Sequence, residues 1–62
     1  MDGNIKKQLE EIHEQIEKIS KAAERLKEIS GGIQAIDRNV ARIQASTKML
    51  EINVSDLLKI LS

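Results

Sequence analysis

Apolar residues recur at alternating steps of four and three along almost the whole of this chain, and two adjacent glycines, Gly31 and Gly32, interrupt the repeat near its middle. Such spacing draws one apolar stripe down each of two helical arms. In the first arm Leu9, Ile16 and Ala23 take heptad position a, and Ile5, Ile12, Ile19 and Leu26 take d. In the second, Ile33, Val40, Thr47, Val54 and Leu61 take a, and Ile36, Ile43, Leu50 and Leu57 take d. The arms do not share a register. Continuing the first count would make Ile33 a d position and put Asp37 at a.

The break falls at the glycines. Inside an exposed helix each glycine costs about 1 kcal/mol relative to alanine, whereas at a helix end its left-handed backbone is favoured. Arms of similar length on either side make a reversal the economical fold. The expected architecture is all-α, one antiparallel helical hairpin spanning 1–62, with helix 1 over about 4–29, a turn over about 30–33 and helix 2 over about 34–61. Asp2 and Asn4 are candidate N-caps, and Ser30 can close the first helix or cap the next. Glu14 and Glu17 each stand four residues before a lysine, Lys18 and Lys21, in the favourable order.

Antiparallel arms set a positions of one against d positions of the other. The matched pairs are Ile5 with Leu61, Leu9 with Leu57, Ile12 with Val54, Ile16 with Leu50, Ala23 with Ile43 and Leu26 with Val40. The rival architecture is one long rod, because Leu26, Ile29, Ile33 and Ile36 carry an apolar stripe across the glycines with a single three-residue stammer.

A hairpin this small buries little surface, and short domains are usually stabilised by disulfides, a metal or a partner subunit. With no cysteine and a single histidine, exceptionally good helix packing and self-association are the remaining routes, and both are expected. The flanking positions agree. Those at g are uncharged (Gln8, Gln15, Ala22 and Ile29, then Gly32, Asn39, Ser46, Asn53 and Ile60), where a two-stranded coiled coil would carry complementary charges. Neutral flanks widen the face a helix can bury. The second arm also carries Ala41, Ala45, Met49 and Ile52 on another side, with Leu58 and Ile60 near its end. These form a candidate partner face, and two hairpins face to face give a four-helix bundle, a homodimer. In size and layout the plan resembles the Rop type, the small plasmid-encoded RNA-binding hairpin dimers; the likeness has no matching residues.

Most chemistry is excluded. Ten basic residues balance ten acidic ones, and there is no aromatic residue on which a base could stack, so a nucleic-acid partner is not expected. Arg38 and Arg42 make only a thin basic patch beside Asp37. No apolar run approaches the roughly 20 residues of a membrane span, and the start lacks the apolar core of a secretory signal, so a cytoplasmic location is expected. Glu10 and His13 have the i,i+3 spacing of di-iron carboxylate bundles, but at b and e they do not both face inward. The glycines lack the pattern of a phosphate loop, and no serine stands beside His13 as a nucleophile would require. No catalytic, cofactor or metal residue is therefore expected. Thr47, the polar member of the second a series, is expected to bond back to its own helix.

The function expected is that of a non-enzymatic interaction and oligomerisation module: an adaptor, assembly element or small regulator that presents helix faces to itself and to another protein. The alternatives are a Rop-like nucleic-acid-associated regulator, marked by Arg38, Arg42 and Lys48 gathered on one surface, and a parallel coiled-coil segment of a larger protein.

Overall fold

A computed structural model describes the backbone of residues 2–61 and the side chains of residues 4–61. Two helices, α1 (Asp2–Ser30) and α2 (Gln34–Leu61), pack against each other, and no strand occurs among the described residues. The fold measures 45 Å along its longest axis and 14 × 13 Å across. Continuous helix over the same residues would reach about 90 Å at 1.5 Å per residue, so the chain is a hairpin and not a rod.

The reversal is built by three residues. Gly31 and Gly32 both have positive φ, 60° and 95°, the region that an L side chain resists and glycine accepts. Ser30 then ties the turn. Its hydroxyl accepts the Ile33 N–H at 3.0 Å and reaches the Ile33 carbonyl at 3.4 Å. That carbonyl accepts the Asp37 N–H at 2.9 Å and so opens α2. Ser30 is itself buried, closing α1 while its side chain serves the start of α2. At the other end of α1, Asn4 lies inside the helix and so is not its cap; the Asp2 side chain lies outside the described residues.

The seam between the helices is narrower than the apolar stripes. Ile16, Ala23, Val40 and Val54 are at most 5% exposed, and the buried polar residues are Ser30 and Thr47. All six occupy a positions. Thr47 satisfies its hydroxyl at once, donating to the Ile43 carbonyl at 2.6 Å, so its burial leaves no donor unpaired. The half-buried flank is the e series: His13 and Ser20 on α1, and Asp37, Gln44, Glu51 and Leu58 on α2.

The members of the expected a–d pairs are buried unequally. In each of the pairs Ile12–Val54, Ile16–Leu50, Ala23–Ile43 and Leu26–Val40, the a residue is buried and the d residue about two-fifths or more exposed. The reason is size. The a line contains Ala23, Ser30, Val40, Thr47 and Val54 beside the larger Leu9, Ile16, Ile33 and Leu61, while every d residue is Ile or Leu. Two helices approach most closely along their small side chains, so the chain closes on a and e and turns its bulky d residues aside.

Candidate interaction surface

Closing on a and e sorts the remaining surface into distinct faces. Looking down a helix, d lies on one side of a and e on the other. Because α2 runs antiparallel to α1, its d line comes round to the same side of the hairpin as the d line of α1. The grooves on the opposite side show this directly. One is lined by Lys6, Glu10 and His13 of α1 with Ser55, Leu58 and Lys59 of α2, and another by Glu17, Ser20, Lys21 and Glu24 with Glu51. These are e, b and f residues from both helices. The d residues therefore share the other side.

That side is an aliphatic face. Ile5, Ile12, Ile19 and Leu26 from α1 and Ile36, Ile43, Leu50 and Leu57 from α2 are each between 39% and 48% exposed. Uncharged g residues border it, and Ile29 and Ile60 at its ends are more exposed still. The expected core series is thus divided: Ile16, Val40 and Val54 form the seam with half-buried Leu9, the eight d residues form the outer face, and Leu61 stays partly exposed at the end of α2.

A second exposed stripe lies on the outer side of α2. Ala41, Ala45, Met49 and Ile52 are all exposed, as are Arg38, Arg42 and Lys48 around them.

Electrostatics on the hairpin are local. His13 Nε2 lies 3.1 Å from Glu17 Oε1, so Glu17 turns to His13 rather than to Lys21. Arg25 donates to Glu28 at 3.0 Å. Both pairs are largely solvated, where such contacts contribute little. Asp37 stands in the first turn of α2, where the helix's positive end favours a carboxylate. Its Oδ1 is buried without a hydrogen-bond partner. Glu10 and His13 line the same open groove, but no three His, Asp or Glu side chains converge as metal ligands would among the described residues. No described helix is long and apolar enough to cross a membrane.

Sequence reasoning placed the stripes correctly on their helices but missed how they divide. A partial signal was side-chain size, since Ala23, Ser30, Val40, Thr47 and Val54 at a are smaller than the Ile and Leu at d, whereas Leu9, Ile16, Ile33 and Leu61 at a are not. The expectation that Ser30 closes the first helix or caps the next agrees with its place at the end of α1 and its hydroxyl's bond to the Ile33 N–H. Comparison with known protein families, characterised proteins and solved structures finds no match for this chain.

Proposed function

We propose that this hairpin is a non-enzymatic interaction module that self-associates through its d face, two copies closing into a four-helix bundle that serves as an adaptor or assembly element. One observation carries the reading: eight Ile and Leu side chains, each 39–48% exposed, gathered on one side of a hairpin whose opposite side is polar. Contiguous apolar surface of this kind marks association. Magnitudes support it. Covering the exposed part of each side chain contributes on the order of 1 kcal/mol, or roughly 15 kcal/mol over two copies, against about 4–15 kcal/mol for lost freedom on association. The uncharged g flanks let a second hairpin approach without stranding a charge.

Light scattering on the size-fractionated protein at micromolar concentration tests this. The expected mass is twice that of the 7.0 kDa chain. A cooperatively folded monomer would overturn the proposal.

A further inference from the structure

We propose that the outer side of α2 is a second docking surface, and that it receives an amphipathic helix with acidic rims from another protein. The surface faces away from the seam and stays open when the d face is covered, so the inference stands apart from self-association.

The two helices differ along their backs. Along α1, every b, c and f position from Lys7 to Glu28 is charged, which is what a helix back that meets only water requires. On α2 the equivalent positions include Ala41, Ala45, Met49 and Ile52, at steps of four, four and three. They make one helical stripe three turns long, about 16 Å. Met49 is 60% and Ile52 45% exposed. Nothing in the hairpin fold needs them there, since neither touches the seam.

The chemistry of the rim names the occupant. Between Arg38 and Ile52 the charges on this outer side are Arg38, Arg42 and Lys48, all cationic; the one acid in that stretch, Glu51, is half-buried on the e side. In a chain whose charges balance overall, this is a positive rim around an apolar centre, bounded by Asp37 before Arg38 and by exposed Asp56 one turn beyond Ile52. Ala41 and Ala45 leave room for a helix to come close, and Met49 is an adaptable contact. A complementary helix carries apolar residues at i, i+3 or i+4, and i+7, flanked by Asp and Glu. A nucleic acid fits less well, because the apolar residues lie among the cations and no aromatic side chain is present to stack a base. A membrane surface fits less well because the stripe is narrow and lacks an aromatic anchor.

The test uses the full chain and two designed, dye-labelled helical peptides of about five turns. They are identical in their leucine stripe; one has glutamate rims and the other lysine rims. Fluorescence anisotropy at low salt should show binding of the glutamate peptide only. Met49→Lys should weaken it at least about tenfold, and Arg42→Glu should weaken it similarly while admitting the lysine peptide. Circular dichroism and light scattering on both variants should match the parent, as the positions are exposed. The proposal is overturned if the glutamate peptide fails to bind at about 100 μM, if both peptides bind alike, or if Met49→Lys leaves binding unchanged. It is also overturned if single-stranded RNA or phosphatidylserine vesicles bind more tightly than the glutamate peptide in an Arg42-dependent way. Growth of the protein beyond a dimer that Met49→Lys abolishes would instead assign the stripe to a further copy of this chain, which also overturns it.

Discussion

The two sides of the hairpin flank the same seam, have the same length and are built by the same helices, yet they differ in kind. On one side stand eight d residues, all Ile or Leu, partly exposed. On the other stand Lys6, His13, Ser20 and Lys27 from α1 and Asp37, Gln44, Glu51 and Leu58 from α2. A hairpin that lived alone in water would gain nothing from this asymmetry. The hairpin itself covers more than half of each d side chain, and the exposed remainder would meet only water. The contrast shows that one heptad stripe can be divided: its a residues are buried between the arms of the chain, while its d residues keep about two-fifths or more of their surface exposed.

The hardest test of this division is to charge each line in turn. Ile16 is 3% exposed in the single chain. Ile16→Asp should cost several kcal/mol by burying an unpaired charge, and circular dichroism should show the helices largely lost. Leu50 is a d residue that the hairpin itself leaves 45% exposed. Leu50→Asp should act chiefly on association: the mass falls to that of one chain, and the melting temperature becomes lower and independent of protein concentration. If both variants unfolded alike whatever the concentration, the two lines would form one core and the comparison would collapse.

Much of this architecture could be read from the residues, and the part that could not has a physical cause. The heptads located both arms, and the loss of register at Gly31 and Gly32 located the reversal, because a glycine pair is costly in a helix and favourable at its end. The inward edge of each stripe was harder to assign. A 3.5-residue repeat defines a stripe that includes both a and d, and which line turns inward depends on its neighbours at e and g. Here those neighbours give a faint signal: Ser20 and Gln44 at e are scarcely distinguishable in polarity from Gln15 and Ser46 at g. Size separates the lines in places, with Ala23 and Val40 on one and Leu26 and Ile43 on the other, but not at Leu9 or Ile16. The role of Ser30 at the junction was legible, but its particular partner, Ile33, depends on the backbone path through the glycines.

That path also keeps the two sides distinct, because the turn sets how α2 rotates as it returns. Adding a Cβ at Gly32 meets nothing within 4 Å, and at Gly31 only the Ile29 carbonyl at 3.9 Å. Any loss on substitution is therefore backbone strain rather than a clash. Gly31→Ala should cost about 1 kcal/mol at its left-handed φ, and Gly32→Ala about 2 kcal/mol, because φ of 95° lies beyond the left-handed basin open to alanine. Thermal melts at matched concentration measure both. Equal and negligible losses would mean that the reversal is not held in this conformation.

The ion pair on the polar side contributes least. Glu17 reaches His13 across one helical turn at 3.1 Å, with the two side chains 55% and 44% exposed. A solvated i,i+4 pair contributes only about 0.3–0.5 kcal/mol, so Glu17→Ala should shift the melting temperature of a domain this size by about 4 °C at most. Alanine's higher helix propensity should offset part of that loss. The mass in solution should not change, because Glu17 and His13 stand on the side of the hairpin away from the d residues. Two outcomes would count differently. A larger loss of stability with the mass intact would mean only that the pair is stronger than its exposure implies. A fall to the single-chain mass would put the contact between copies on the polar side, and the aliphatic face would then need another occupant.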